Sequence, residues 1–257
     1  MEATAYRDLA AREESGWYYR ARLAAVTNLI RRYAPRKQRL RLIDVGCGTG
    51  GSTAALAPFG EVVGIEPSAL ARQLAAERFP GLAIKAASIE ELPGLELGTF
   101  DVAVILCVLY HQNIQNPKAA LAALARVQKP GALLIWNEPA YPYLWRQHDR
   151  QTAAGRRFFP REMHAMLEEC GYELVFRSHL LAWAFPLAAG LSLWDRWRQK
   201  RTPAAVAAGA EGLDHKPLPA WCNGLLRSFT FAEWSLQRLG WPLPWGVSYL
   251  LAARKKA

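Results

Sequence analysis

The fold is decided by one stretch, Leu40-Arg41-Leu42-Ile43-Asp44-Val45-Gly46-Cys47-Gly48-Thr49-Gly50. Its first six residues are mostly branched and apolar, which is typical of a buried strand. The glycines that follow permit a tight turn, and a helix is predicted directly after it, over 51–57. A strand that ends in a glycine-rich turn and opens a helix presents backbone N–H groups to a ligand. The stretch therefore predicts a ligand-binding turn at the edge of an α/β sheet.

Strand-like and helix-like segments alternate on both sides of this turn. A helix is predicted over 16–34, ahead of the first strand at 40–45. Further strands are predicted over 61–65, 82–86, 100–106, 131–136, 172–178 and 246–254, and further helices over 68–78, 117–127 and 160–170. Such alternation is typical of an α/β fold with a doubly wound, mostly parallel sheet, here of seven strands.

The pattern divides the chain into four parts. Residues 1–37 are predicted to form a helical lid, and residues 38–180 the ligand-binding domain. Residues 181–240 contain five of the ten tryptophans and no clear βα unit, so they are interpreted as a late helical and aromatic insertion. Residues 241–257 then supply the last strand of the sheet.

Composition limits the class of protein and of partner. The chain has 257 residues, of which 51% are hydrophobic and 21% charged, as in ordinary globular proteins. Its net charge of +10 indicates an anionic partner, such as nucleic acid, a phosphate-bearing substrate or an acidic membrane, or else a generally basic proteome. Four scattered cysteines and a start without an apolar core predict a reduced, cytoplasmic protein, and no metal site is expected. The longest apolar stretch, Leu180 to Trp194, is shorter than the ~20 residues of a spanning helix, so a transmembrane segment is not expected.

The glycine turn is compatible with two kinds of cofactor. Gly46, Gly48 and Gly51 satisfy the spacing G-x-G-x-x-G, which leaves a nicotinamide or flavin enzyme open. S-adenosylmethionine is favoured by Asp44, whose carboxylate can accept from the positively charged methionine end of that cofactor. It is also favoured by the extra glycine, Gly50, and by the helical segment that precedes the turn.

With these features the chain resembles the class I methyltransferases, and the resemblance covers roughly residues 38–180 and the last strand. Glu66 ends the second strand, where the family has an acidic residue that accepts from both ribose hydroxyls. Phe100 to His111 matches the family's fourth strand, and Lys129 to Ile135 the approach to the fifth. Ser88 stands where many relatives carry the aspartate that binds adenine. The resemblance implies S-adenosylmethionine as cofactor, bound by Asp44, Gly46, Cys47, Gly48, Gly50, Glu66, Pro67, Ser88, Ile89, Leu106 and Cys107.

A narrower resemblance concerns the segment after the fifth strand. Leu144-Trp145-Arg146-Gln147-His148-Asp149, followed by Gly155-Arg156-Arg157-Phe158, is similar to a subgroup of methyltransferases often encoded among sugar- and envelope-assembly genes. Trp17-Tyr18-Tyr19-Arg20-Ala21-Arg22 resembles the first helix of that subgroup, and Pro244 to Leu250 its last strand. The resemblance implies methylation at oxygen of a sugar, a glycolipid or another small or lipid-linked acceptor.

Candidate acceptor-site residues follow from their chemistry and position. His148 is the candidate general base, with Asp149 beside it, although a helix-start residue bonded to the backbone explains His148 equally well. Arg156 and Arg157 are interpreted either as a clamp for a phosphate or carboxylate or as a solvated basic pair. The residues assigned to the acceptor are Tyr18, Tyr19, His111, Tyr141, Arg156 and Arg157. Since no N-P-P-Y or D-P-P-Y motif is present, nucleic acid is not the favoured substrate.

The insertion admits two interpretations. Between 180 and 201 an apolar stretch with tryptophans runs into a basic flank, which favours contact with a membrane surface. The same aromatic residues are also compatible with a cap that packs over the acceptor, and the cap is the slightly preferred interpretation. The predicted function is thus an S-adenosylmethionine-dependent methyltransferase, and its rivals are an NAD(P)-dependent oxidoreductase and an inactive methyltransferase-like binding module.

Overall fold

The computed structural model describes residues 3–201, 220–239 and 241–257. Two helices precede the sheet, α1 (Ala3–Ser15) and α2 (Trp17–Tyr33). Helix α2 lies where the sequence predicts it, whereas α1 lies within the predicted helical lid of residues 1–37 but is not delimited there as a helix of its own. The segment of α1 has few large apolar residues, so it has little helical periodicity. Packing stabilises it: α1 contacts the helices that follow the first and second strands, and its Glu13 accepts from the Thr49 hydroxyl of the glycine turn.

A seven-stranded sheet forms the centre of the molecule, as the alternating pattern predicts. Its strands are β1 (Leu40–Val45), β2 (Gly60–Ile65), β3 (Ala83–Lys85), β4 (Phe100–Leu106), β5 (Gln128–Pro139), β6 (Tyr172–Leu180) and β7 (Ser248–Lys255). Their spatial order is β3-β2-β1-β4-β5-β7-β6. The first five in that order run parallel, and β7 lies antiparallel to both β5 and β6. All seven residues of β4, the central strand, are buried.

Helices cover both faces of the sheet. The helices after β1 are α3 (Gly51–Leu56), α4 (Ala69–Arg78), α5 (Pro117–Arg126), α6 (Gln147–Gln151), α7 (Pro160–Glu169), α8 (Phe185–Arg201) and α9 (Ala220–Arg238). One face packs against α2, with Val26 and Ile30 in the same cluster as Leu42 of β1. The other packs against α5 and α7, with Leu121 and Leu167 in the same cluster. Parallel strands are buried on both faces, which is why they read as continuous apolar runs.

The described part of the insertion is helical. Helix α9 packs on α2, and its Glu233 accepts from the N–H groups of Leu181 (3.0 Å) and Trp183 (2.9 Å). Helix α8 is held at one side through Ser192, whose hydroxyl donates to the carbonyl of Tyr143 at 2.7 Å. Residues 202–219 and 240 of the predicted insertion, and residues 1–2 of the predicted lid, lie outside the described residues. Within the described ranges, no helix combines the length and the apolar character needed to cross a membrane.

Candidate functional site

A cavity of about 890 Å³ opens at the carboxyl ends of the parallel strands. The glycine turn after β1, the residues after β2 and the loop after β4 form its floor, and α1 and α2 cover it. Ligand sites commonly have volumes of about 300–1,000 Å³, and in open α/β sheets they lie at this edge. The position therefore follows from the parallel order of the strands.

The glycine turn has the geometry that its sequence predicts. Gly46, Gly48 and Gly50 have φ angles of 65°, 55° and 87°, a region that side chains make unfavourable. A Cβ atom on Gly46 would lie 2.6 Å from Val108 Cγ2, so the turn and the loop after β4 can approach only because this position is glycine. Gly48 lines the cavity directly, while Gly50 caps α3 and packs against α4.

Glu66 lies inside the cavity at the end of β2. Its Oε2 accepts from the N–H of Gly48 at 3.1 Å, and its Oε1 accepts from the N–H of Ser68 at 2.9 Å. Burial raises the pKa of Glu66 despite these two hydrogen bonds. A carboxylate has about four acceptor positions, so both oxygens retain capacity for hydroxyl groups of a ligand.

Asp44 lies behind the turn instead of on the cavity wall. Its carboxylate accepts from the hydroxyls of Ser52 and Thr53, both at 2.7 Å. Burial raises its pKa to about 6. Among the described contacts, Asp44 thus fixes the start of α3, and Ser52 is the member of this group that faces the cavity.

The remaining candidate cofactor residues are divided between wall and core. Cys47, Pro67, Ser88, Leu106 and Cys107 line the cavity. Ile89 is buried in the core below it. Cys107 has a φ of 60°, a strained conformation for a residue other than glycine, and such strain is concentrated at functional sites.

The structure brings His148 and Asp149 to the same cavity but gives Asp149 another partner. Its oxygens accept from Arg157 Nε at 2.8 Å and Nη2 at 3.1 Å, and Oδ2 also accepts from the N–H of Arg146 at 2.8 Å. The side chains of Asp149 and Arg157 are 3% and 9% exposed. This buried, bidentate pair fixes the short helix α6, which carries His148 on the cavity wall.

The candidate acceptor residues do not all meet in one place. Tyr18, Tyr19, His111 and Arg157 line the cavity. Arg157 already binds Asp149 and the carbonyl of Ala140, so it does not act as the predicted anion clamp with its neighbour. Arg156 is not part of the cavity wall. Tyr141 lies in a separate aromatic cluster, with its hydroxyl 2.9 Å from His179 Nε2.

Several residues in or beside the cavity are absent from the predicted set, and three of them have side chains that bear on the chemistry. Arg22 of α2 and Tyr110 line it. Glu138, at the end of β5, is fully buried behind the loop after β4. Arg22 belongs to the quoted aromatic motif of the first helix, so that motif is the signal that marks it. Nothing local in the sequence indicates that Glu138 is sealed from solvent.

Comparisons with known proteins agree with this site. Residues 43–136 match the family described as a methyltransferase domain, a span that runs from β1 to β5. The ubiquinone biosynthesis O-methyltransferase of Hahella chejuensis is 37% identical over 102 residues, which cover 38% of this chain and 42% of that protein. The chain spans about two fifths of the length of the curated relatives it matches.

Solved structures share the fold over nearly the whole chain. The methyltransferase partner of the Haloferax volcanii Trm112 activator has a TM-score of 0.58 at 16% identity, covering 98% of this chain and 96% of that one. An S-adenosylmethionine-dependent methyltransferase from Archaeoglobus fulgidus has a TM-score of 0.57 at 14% identity, covering 95% and 97%. The protein therefore has the same fold as these methyltransferase structures. The segment that matches the methyltransferase-domain family includes the strands and loops that form the floor of its cavity.

Proposed function

We propose that this protein transfers a methyl group from S-adenosylmethionine to an oxygen atom of a small acceptor, such as a sugar or a glycolipid. The observation that carries the proposal is the single cavity that joins two chemically different ends. One end has Gly48 and Glu66, which suit a nucleoside, and the other has Tyr110 and His148, which suit a polar acceptor. The family match over residues 43–136 favours a methyltransferase over a nicotinamide-dependent oxidoreductase.

The chain's own residues fit the cofactor at the first end. Gly48 leaves room on the wall, and its φ of 55° disfavours any side chain there. Glu66 is buried and is already oriented by two N–H groups, so the ribose hydroxyls would meet an acceptor that needs no reorganisation. When bound, S-adenosylmethionine supplies a methyl group activated by a positively charged sulfur.

The residues at the second end would position the acceptor and remove its proton. A hydroxyl acceptor gives up its proton as its oxygen attacks, and the His148 imidazole on the wall is the group proposed to take it. The Asp149–Arg157 pair holds α6 and therefore acts as a positioning element. Helices α1 and α2 supply part of the cavity wall, and with cofactor and acceptor bound they would help to exclude water from the reacting groups.

A sugar or glycolipid acceptor is proposed from the signature around His148 and from the exposed surface of α8. On α8, Leu187, Trp194 and Trp197 are 64%, 54% and 45% exposed. Arg196 and Arg198 are exposed on the same helix. Exposed tryptophans flanked by arginines suit the interface of an anionic membrane, so we extend the proposal to peripheral contact with such a surface.

Calorimetry with S-adenosylhomocysteine tests the cofactor assignment. We expect the wild-type protein to bind it and not to bind NADH. Glu66→Ala should weaken binding by about 1–3 kcal/mol, the cost of losing hydrogen bonds to a buried charged group. Gly48→Val should also weaken binding, because it places a branched side chain on the cavity wall where the ligand must approach. Glu77→Ala removes an exposed carboxylate on α4 and is the matched control. Unchanged affinity in folded Gly48 and Glu66 variants would contradict the assignment.

A further inference from the structure

The loop after β4, residues 107–113, forms the part of the cavity floor that joins its two ends. Cys107 belongs to the residues proposed for the cofactor, whereas Tyr110 lies at the end proposed for the acceptor, and both line the cavity. The path of this loop therefore shapes both ends of the cavity.

The same loop is tied to the segment that follows α6. The N–H of Gln112 donates to the carbonyl of Ala153 at 2.9 Å, and the N–H of Gly155 donates to the carbonyl of Tyr110 at 2.8 Å. Since His148 lies on α6, shortly before this segment, a displacement of the loop would also displace the group proposed as the base.

Local conformational preference does not explain the path of the loop. Cys107 has a φ of 60°, and such strain persists only where the surrounding structure fixes it. The next residue, Val108, lies so close to the glycine turn that a Cβ atom on Gly46 would be 2.6 Å from its Cγ2. Contacts from outside the loop must therefore hold it against the turn.

Glu138, at the end of β5, supplies two such contacts. Its Oε1 accepts from the N–H groups of two consecutive loop residues, Val108 at 3.2 Å and Leu109 at 2.8 Å. The indole of Trp136 donates to the same oxygen at 3.0 Å, which fixes the carboxyl group against its own strand. Since Glu138 is 0% exposed, water cannot replace it as the acceptor for the two N–H groups.

The two oxygens of Glu138 differ in their partners. Whereas Oε1 accepts from three donors, Oε2 is sealed from solvent and has no hydrogen-bond partner among the described residues. A buried polar group that is only partly satisfied costs free energy. Without Oε1, however, the N–H groups of Val108 and Leu109 would be buried with no acceptor. The loop therefore retains its path only while this oxygen is present.

We infer that Glu138 is a positioning residue, which holds the loop after β4 in the path that ligand binding requires. This inference rests on the proposed function, because it concerns the same cavity. Glu138 itself lies behind the cavity wall, where it contacts neither cofactor nor acceptor. It acts through the peptide groups of Val108 and Leu109.

Three variants test the role of Glu138. Glu138→Leu removes the acceptor and retains most of the bulk, whereas Glu138→Gln retains an oxygen that can accept from the same N–H groups. Gln128→Leu is the matched control, because Gln128 lies at the opposite end of β5, is 2% exposed and likewise makes a buried hydrogen bond, to the carbonyl of Leu133 at 3.2 Å. Thermal melts report folding. Glu138→Met, which also lacks an oxygen acceptor, replaces Glu138→Leu if that protein does not fold.

Amide hydrogen exchange, followed by NMR on protein without ligand, measures the loop directly. In the wild type, the N–H groups of Val108 and Leu109 should be protected from exchange. In Glu138→Leu they should exchange at least about tenfold faster relative to the amides of β4, while Glu138→Gln and the control retain the protection. Unprotected amides at these two positions in the wild type would overturn the inference.

Calorimetry with S-adenosylhomocysteine measures the consequence for binding. Glu138→Leu should lose about ten- to a hundredfold in affinity, and Glu138→Gln should recover most of the loss. Gln128→Leu should bind like the wild type, even where its melting temperature falls by as much as that of Glu138→Leu.

Two results of the calorimetry would show that the inference is wrong. One is a folded Glu138→Leu protein with wild-type affinity, and the other is a Glu138→Gln protein that is as impaired as Glu138→Leu. Failure of the wild-type protein to bind S-adenosylhomocysteine would count against the proposed function instead, and the exchange measurement still decides whether Glu138 holds the loop.

Discussion

Glu138 should make the stability of this protein depend on pH in a measurable way. The side chain is fully buried, and its Oε1 accepts from the N–H groups of Leu109 (2.8 Å) and Val108 (3.2 Å) and from the indole of Trp136 (3.0 Å). Its Oε2 is sealed without a hydrogen-bond partner among the described residues. Burial raises the pKa of Glu138 from 4.5 to about 7. At about 1.4 kcal/mol for each pKa unit, this rise in the pKa of Glu138 corresponds to about 3 kcal/mol in the free energy of unfolding.

The direction follows from proton linkage. The folded protein holds the proton on Glu138 more tightly than the unfolded chain does. The stabilisation that comes from this bound proton is therefore complete below about pH 4.5. It is lost as the pH rises through about 7. Asp44, whose pKa burial raises to about 6, acts in the same direction. Glu138→Gln removes only the first contribution, and the unpaired amide it introduces has a cost that does not vary with pH.

Urea unfolding at pH 4.5, 6 and 8 measures the effect. Relative to wild type, the free energy of unfolding of Glu138→Gln should rise by about 3 kcal/mol between the lowest and the highest pH. Glu77→Gln, at an exposed position on α4, should show no such trend. A difference between wild type and Glu138→Gln that stays constant with pH would refute the argument.

Three further predictions concern the second end of the cavity and the α8 surface. His148→Ala should retain S-adenosylhomocysteine binding and lower turnover on a hydroxyl acceptor by roughly 10²–10⁴-fold in a methyl-transfer assay; near-normal turnover would exclude a base at this position. Asp149→Asn leaves its buried arginine partner uncompensated and should lower the free energy of unfolding by roughly 3–5 kcal/mol in urea titrations, whereas an unchanged midpoint would mean that the pair contributes nothing. Replacing Arg196 and Arg198 with Gln should weaken binding to anionic vesicles by about 2 kcal/mol at low salt, and Trp194→Ala should weaken it further. If wild-type protein stays in the supernatant with such vesicles, and Trp194→Ala instead lowers the melting temperature, α8 belongs to a cap and not to a membrane surface.

The sequence by itself determines the sheet and the end of it that carries the cavity. The apolar run ending at Val45 and the three glycines after it specify a strand and a turn through local conformational preferences. Glu66 could be assigned because it ends the next parallel strand, and carboxyl ends of parallel strands meet at one edge. The fold class follows from the alternation of strand-like and helix-like segments along the chain, since each of these segments has a strong apolar pattern of its own.

Only the tertiary structure decides which side chains face the cavity and which charges are compensated. Asp149 follows His148 in the chain, yet its carboxylate pairs with Arg157, because neighbouring residues on a short helix point in different directions. Helix α1 has too weak a pattern for its bounds to be predicted within the helical lid, and it is stabilised by packing on the turn, where the Thr49 hydroxyl donates to Glu13 at 2.7 Å. Arg22 meets Cys107 across 85 residues of sequence. Burial and charge pairing are properties of the assembled neighbourhood, to which residues distant in the chain contribute, so no local pattern contains them.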